Sequence, residues 1–251
     1  MDLLSAFVLA VVEGITEFLP VSSTGHMVLA TRLLQIPQTT FVSTFEIGIQ
    51  LGAILAVVSL YLSRIWGNKK LFLKVGTAFL PTAVVGFVMY PVVKNSLLGN
   101  ADLTAVMLLL GGIALIIWEK WQRPGKTKIE ELPWWKCVLI GLGQSVSMIP
   151  GVSRAMATIM TGVGMGLSRK EAVEMSFLLA VPTMMAAAGL DIYKSADGIT
   201  NQEWGILIFG FCVAYVVAVV AVKWLVNFVK KSDLSGFGWY RIAVAAVWLL
   251  A

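Results

Sequence analysis

Two acidic residues, Glu13 and Glu17, lie inside the first apolar stretch of the chain. They are four residues apart, so a helix would place both carboxylates on one face. At membrane depth a single charge costs at least about 2.5 kcal/mol, and two carboxylates also repel each other. The pair therefore predicts a cation, a proton or an arginine as partner. The alternative is an interfacial segment, in which water solvates both groups.

A hydroxyl-rich break, Pro20-Val-Ser-Ser-Thr-Gly-His26, follows in the same stretch. Ser22, Ser23 and Thr24 precede a new helix start, whose free backbone N–H groups bind anions such as phosphate. Helix capping would explain any one of these hydroxyls equally well. His26 is the only histidine of the chain. A single histidine is usually structural, but this one can serve as acid, base or nucleophile, and we predict a functional role for it.

A second break, Pro150-Gly-Val-Ser-Arg154, interrupts a later apolar stretch. Arg154 is the only basic residue between Val138 and Ser168, and its guanidinium keeps its charge at any depth. The planar fork suits a phosphate, although an ion pair with Glu13 or Glu17 alone would also satisfy it. Ser153 and Thr158 would add hydroxyl contacts to the phosphate or cap the helix.

These groups together can bind and hydrolyse a metal-bridged phosphate. Glu13 and Glu17 would hold the cation, while Arg154 and backbone N–H groups stabilise negative charge. Ser23 or His26 would attack phosphorus or move a proton, and the residues leave open which of them does so.

Glu46 and Gln50, again four residues apart, are weaker candidates that would contact and orient Glu13 and Glu17 without binding the substrate themselves. The chain contains no Walker A loop, HExxH, GxSxG or zinc-ligand spacing. Those established hydrolase and nucleotide-binding classes are therefore not indicated.

The composition indicates a membrane protein. Of 251 residues, 58% are hydrophobic and only 13% are charged, against about 25% charged in soluble domains. The start of the chain lacks the basic region of a cleavable signal peptide, so we expect none. The net charge is +5, but no basic stretch is interleaved with aromatic residues, which argues against a nucleic-acid partner.

The basic clusters around residues 64–74, 120–136, 169–170 and 223–231 should all be cytoplasmic by the positive-inside rule. This predicts an all-α polytopic protein with about six full spans, over residues 41–63, 71–93, 102–118, 172–190, 203–226 and 238–251. Two broken apolar segments, 3–35 and 137–167, each begin and end on one side of the membrane. We interpret them as re-entrant helical hairpins, whose broken backbone must be surrounded by protein or a wet cavity.

The two halves also match each other. Residues 1–118 and 137–251 each contain a broken hairpin followed by further spans, and the charge pattern inserts them with opposite orientation. This predicts a single membrane domain built as an inverted-topology repeat, with the site near mid-depth where the broken helices meet. Chance similarity of apolar stretches is the alternative.

At this point the chain resembles a known family. Glu13-Gly-Ile-Thr-Glu-Phe-Leu-Pro-Val-Ser-Ser-Thr-Gly-His26 and Pro150-Gly-Val-Ser-Arg154 are similar to the two signatures of undecaprenyl-diphosphate phosphatases, once called bacitracin-resistance proteins. Further similar segments are Phe45-Glu46, Gln50-Leu-Gly and Ser176-Phe-Leu-Leu-Ala-Val-Pro182. The resemblance runs through nearly the whole chain.

The resemblance implies hydrolysis of undecaprenyl diphosphate to undecaprenyl phosphate, which recycles the lipid carrier for cell-wall peptidoglycan and confers bacitracin resistance. It implies a divalent cation, Mg²⁺ or Ca²⁺, a bacterial cytoplasmic membrane, and a site that faces outward. It assigns function to Glu13, Glu17, Ser23, His26 and Arg154. The expected partners are the lipid substrate and membrane lipid, with a homodimer as one open oligomeric state.

One departure and one rival stay open. The family's second motif usually continues Ser-Arg-Ser-Gly-x-Thr, whereas this chain reads Ser153-Arg154-Ala155-Met156-Ala157-Thr158. Either the second serine is dispensable, or rate or substrate range differ.

The rival function is a lipid-phosphate flippase, since inverted repeats with broken helices are also transporter architecture. A purely structural scaffold would leave the buried charges unexplained.

Overall fold

The computed structural model describes residues 1–93, 97, 99–195 and 200–250, with the backbone alone for 190–195. This part is all-α, as predicted, and its only strand-like pairing is one isolated bridge between Thr127 and Leu167. The ten α-helices are α1 (Leu3–Thr16), α2 (Ser23–Leu33), α3 (Thr40–Trp66), α4 (Lys69–Val92), α5 (Ala101–Trp121), α6 (Trp134–Ser145), α7 (Arg154–Gly164), α8 (Arg169–Ser195), α9 (Asn201–Phe228) and α10 (Ser235–Leu250).

Both predicted hairpins are pairs of short helices with a break between them. Break 1 is residues 17–22, between α1 and α2, and break 2 is residues 146–153, between α6 and α7. Ser22 and Ser153 cap the helices that follow, each through its side-chain oxygen. Gly151 has φ of 91°, a conformation that other residues adopt only with strain. The insertion of these hairpins into one side of a membrane stays a prediction.

Five helices, α3, α4, α5, α8 and α9, are long and apolar enough to cross a membrane. They correspond to the first five predicted spans. The sixth predicted span, 238–251, corresponds to α10, an apolar helix of 16 residues that is shorter than the other five, and a full crossing by it stays a prediction. At 1.5 Å per residue such a helix is about 24 Å long, short of the roughly 30 Å hydrocarbon core.

The helices of the two halves follow each other in the same order, α1–α5 and then α6–α10. In the packing, α1 lies against α9 and α6 lies against α4, while α3 contacts α8 and α5 contacts α10. A two-fold exchange of the halves would produce these pairings. The inverted repeat itself, with halves 1–118 and 137–251, stays a prediction.

Glycines allow close helix crossings. A methyl group at Gly52 on α3 would overlap the Phe211 carbonyl on α9, and one at Gly141 on α6 would overlap the Ala78 carbonyl on α4. Between membrane helices there is little hydrophobic driving force, so such close van der Waals contact holds the bundle together.

Ion pairs join the helices at the end that carries the basic clusters. Arg64 at the end of α3 lies 3.3 Å from both Glu130 and Glu171, and it also contacts Glu174. The Lys74 ammonium, which is buried, donates to the Leu132 carbonyl at 2.6 Å. These contacts fasten the connection between α5 and α6 to helices of both halves.

Cysteine labelling tests the predicted orientation. In a variant whose Cys137 and Cys212 are replaced by serine, we expect a membrane-impermeant maleimide to label Gln202→Cys in intact cells. Lys126→Cys should react only after the membrane is permeabilised, because it lies in a basic connection that the positive-inside rule places in the cytoplasm. Both side chains are exposed in the structure. Labelling of Lys126→Cys in intact cells would contradict the topology.

Candidate active site

Breaks 1 and 2 meet at a polar pocket. Its lining comes from both breaks, from the helix starts that follow them, and from α3 and α8. The lining residues are Glu17, Ser22, Ser23, Thr24, Gln50, Ser147, Val152, Ser153, Arg154 and Met184. The cavity has a volume of about 180 Å³. Glu17 and Arg154, which are 137 residues apart in sequence, thus line one small polar space.

An ion pair joins the two halves in this pocket. Arg154 Nη2 lies 2.9 Å from Glu17 Oε1, and the two side chains are only 12% and 4% exposed. Arg154 Nη1 donates to the Ser176 carbonyl at 2.8 Å. The guanidinium is therefore held from two sides, while its Nε is buried and has no hydrogen-bond partner.

Ser23 completes a chain of three groups. Its hydroxyl donates to Glu17 Oε2 at 2.5 Å, so the two oxygens of one carboxylate serve the serine and the arginine separately. A hydroxyl beside a carboxylate that accepts its proton is the arrangement of an activated nucleophile.

Two helix N-termini begin at the pocket. Ser22 accepts from the Gly25 N–H and Ser153 accepts from the Met156 N–H, which caps α2 and α7. Ser22 has φ of 72°, a conformation rare for serine that costs on the order of 1–3 kcal/mol. Helix N-termini carry partial positive charge and free N–H groups, so both ends favour an anion here.

Glu13 lies one helical turn before Glu17, and the Glu17 N–H donates to the Glu13 carbonyl at 2.9 Å. The predicted shared face is therefore confirmed. The Glu13 carboxyl is buried, and its Oε1 has no hydrogen-bond partner. Repulsion from Glu17 and Glu46 disfavours a negative charge on this carboxyl, and attraction to Arg154 favours it. A buried, unpartnered carboxylate oxygen beside two more acids would be stabilised by a cation.

Four predicted site residues do not line the pocket: Glu13, Glu46, Thr158 and His26. Thr158 is fully buried and donates to Gln144 Oε1 and to the Arg154 carbonyl, because it lies on the side of α7 that faces the core. The His26 ring makes contacts with Ser22 O through Nδ1 and with Tyr240 through Nε2, both at 2.8 Å. His26 therefore contacts a residue of the pocket lining, Ser22, without lining the pocket itself.

Gln50 lines the pocket from α3. Glu46 lies one turn earlier on the same helix and is close enough to act on Glu13. Glu46 and Gln50 thus lie near Glu13 and the pocket from α3, whereas Glu13 is on α1 and Arg154 is on α7.

Break 1 also faces an apolar cavity of about 370 Å³. Leu19 and Val21 line it from the break, and Trp224, Phe228 and Phe237 line it from α9 and α10. The same break therefore has a polar side and an apolar side, as contact with an amphiphile would require.

The sequence reasoning missed Tyr240 and Arg241 on α10. Tyr240 OH contacts His26, with the two rings stacked nearly parallel. Arg241 is fully buried, and it is the only charged residue between Leu234 and Ala251. The signal that singled out Arg154, one charge in a long apolar stretch, was present here as well.

The fold and the pocket define a polytopic membrane protein with a buried, anion-favouring site at the junction of two broken hairpins. A family model described as bacitracin resistance protein BacA matches residues 6–247. The chain belongs to this family.

Its relatives include proteins named undecaprenyl-diphosphatase. That of Aquifex aeolicus is 48% identical over 97% of this chain and 96% of the relative. That of Campylobacter fetus is 44% identical over 100% and 99%, and that of Thermus thermophilus is 44% identical over 97% and 95%. The resemblance inferred from the motifs is therefore confirmed at the level of the family.

Arg154→Lys tests anion binding. The variant keeps the charge but loses the planar fork, so we expect the affinity for inorganic pyrophosphate to fall about tenfold, or roughly 1.4 kcal/mol. Isothermal titration calorimetry on the purified protein measures this. Arg169→Lys is the matched control, since Arg169 pairs with Glu119 outside the pocket. Equal affinity losses in both variants would contradict the assignment.

Proposed function

We propose that this protein hydrolyses undecaprenyl diphosphate to undecaprenyl phosphate and inorganic phosphate. The observation that carries the proposal is the group Arg154–Glu17–Ser23 in one buried pocket, in which Ser23 and Arg154 are the first residues of two helices. Relatives that match over 96% and 99% of their length are named for this activity. The reaction would recycle the lipid carrier for peptidoglycan synthesis, and its result would be bacitracin resistance, as the family description states.

Arg154 and the two helix N-termini would bind the diphosphate. The guanidinium lines the pocket and its buried Nε has no protein partner, so a bound phosphate would supply the acceptor that Nε lacks. The free N–H groups at the start of α2 and α7 would contact further oxygens. Donors that are already oriented stabilise the charge of the transition state without reorganisation.

Ser23 would supply the attacking oxygen and Glu17 would accept its proton. The Ser23 hydroxyl already points at Glu17 Oε2. Attack of Oγ on the terminal phosphorus would break the bond to the bridging oxygen, which leaves with undecaprenyl phosphate. Water would then hydrolyse the phosphoserine, releasing inorganic phosphate and restoring the hydroxyl. The contacts of His26 with Ser22 and Tyr240 favour a positioning role for the histidine.

Glu13 and Glu17 would hold a divalent cation such as Mg²⁺ or Ca²⁺. The described residues contain no group of three or more His, Cys, Asp or Glu arranged for a metal. Mg²⁺ is commonly held by one or two carboxylates together with substrate phosphates, and the unpartnered Glu13 Oε1 fits that requirement. When bound, the cation would neutralise charge on the diphosphate.

The pocket would open to the outer side of the bacterial cytoplasmic membrane. Gln50 lies in the first half of α3 and Met184 in the second half of α8, both toward the helix ends that are poor in Lys and Arg. Thr24 is exposed in the pocket, so Thr24→Cys should react with the impermeant maleimide in intact cells. Labelling only after permeabilisation would place the opening on the cytoplasmic side.

A homodimer stays a prediction.

Phosphate release tests the reaction and the cation together. Purified protein with undecaprenyl diphosphate and Mg²⁺ should release inorganic phosphate, and a chelator should abolish the release. Glu13→Gln should raise the Mg²⁺ concentration for half-maximal activity at least about tenfold, because the variant removes one ligand charge. The control Glu131→Gln changes an exposed acid and should leave that concentration unchanged.

A flippase would bind the lipid and release no phosphate, which would contradict the proposed reaction. Unchanged Mg²⁺ dependence in Glu13→Gln would contradict the cation site and leave the reaction standing.

Ser23→Ala tests the nucleophile. We expect turnover to fall by at least about 1000-fold while pyrophosphate affinity changes only a few-fold, since the lost interaction forms in the transition state. Ser59→Ala is the control, because Ser59 is an exposed serine that lies outside the pocket and donates to a helix carbonyl. Retained turnover in Ser23→Ala, with complete loss in His26→Asn, would assign the attack to the histidine.

A further inference from the structure

Arg241 on α10 reaches both breaks at once. Its guanidinium donates through Nη1 to the Pro20 carbonyl at 3.4 Å and through Nη2 to the Gly151 carbonyl at 2.9 Å. It also donates to the carbonyls of Leu108 at 3.3 Å and Met107 at 3.1 Å on α5. One fully buried side chain thus satisfies four carbonyls from three separate parts of the chain.

The charge of Arg241 has no carboxylate partner among the described ion pairs. A buried cation is costly when only carbonyl dipoles compensate it. The side chain also needs space made for it, since a methyl group at Gly111 would overlap the guanidinium. If apolar packing were the only requirement here, a neutral side chain would meet it at lower cost.

The carbonyls that Arg241 binds lie close to the reacting groups in sequence. Pro20 is three residues from both Glu17 and Ser23, and Gly151 is three residues from Arg154. A break leaves carbonyls outside the helical hydrogen-bond pattern, so each needs a donor from elsewhere. Because one rigid guanidinium serves both breaks, it sets the distance between them.

We infer that Arg241 is a positioning residue that holds break 1 and break 2 at the separation in which Ser23 and Arg154 act on the same phosphate. This inference rests on the proposed phosphatase function. It assigns Arg241 no contact with the substrate. Its effect on the reaction passes through the backbone of the two breaks, and a misplacement of about 1 Å at such a site can cost about 100-fold in rate.

Kinetics separate this role from a purely structural one. In Arg241→Met we expect kcat of the folded protein to fall about 100-fold, while pyrophosphate affinity falls less than about fivefold because Arg154 is still present. Arg241→Lys should recover part of kcat, since an ammonium keeps the charge but reaches fewer carbonyls. Lys74→Met is the matched control. Lys74 is also a buried cation bound to a carbonyl, but it lies away from the breaks.

Gly111→Ala provides a second test that leaves Arg241 in place. The added methyl should displace the guanidinium and lower kcat about tenfold without removing charge. Gly76→Ala is its control, since a methyl group at Gly76 meets no neighbouring atom. Both controls should keep kcat within about threefold of the wild-type protein.

The inference is overturned if Arg241→Met and Gly111→Ala keep the kcat of their controls, or if the whole loss lies in KM. If the wild-type protein releases no phosphate, the proposed function fails as well. If it does release phosphate and the variants behave like their controls, only the positioning role fails.

Discussion

The ion pair between Glu17 and Arg154 is the contact on which the site depends. It joins break 1 to the start of α7 across a distance of 2.9 Å, and both side chains are nearly buried. In a membrane neither charge can be left alone, since removing one partner of a buried pair leaves an uncompensated charge that costs several kcal/mol. The pair therefore requires the two hairpins to dock on each other, and the polar pocket forms at the point where they do so.

Docking of this kind requires that the broken backbone be satisfied inside the protein. The Ser153 hydroxyl contacts the Leu19 carbonyl at 3.5 Å, and Arg241 binds one carbonyl from each break. The left-handed conformations of Ser22 and Gly151 turn the chain into the helices that follow. Backbone polar groups without water are tolerated at depth only under these conditions, so the features that make the breaks stable also direct two helix N-termini toward one space.

The departure from the family's second motif has a limited structural effect. Ala155 and Met156 lie in the first turn of α7, are both buried, and are not among the residues that line the polar pocket. The Met156 N–H donates to the Ser153 hydroxyl oxygen, which caps the helix. The substitution thus leaves Arg154 and its contacts with Glu17 and Ser176 in place.

Periodicity and the cost of buried charge were sufficient to predict much of this protein from its sequence. The low charge content indicated a membrane protein, proline and serine marked both breaks, and the spacing of Glu13 and Glu17 placed them on one face. These features are local, so they depend on neighbours along the chain. Only the tertiary structure decided that Thr158 faces the core, that His26 meets Tyr240, and that Arg241 spans both breaks. Those contacts depend on how helices rotate and dock. A single charge in an apolar segment, such as Arg241, indicates that a partner is needed, but the segment does not indicate which distant group that partner is.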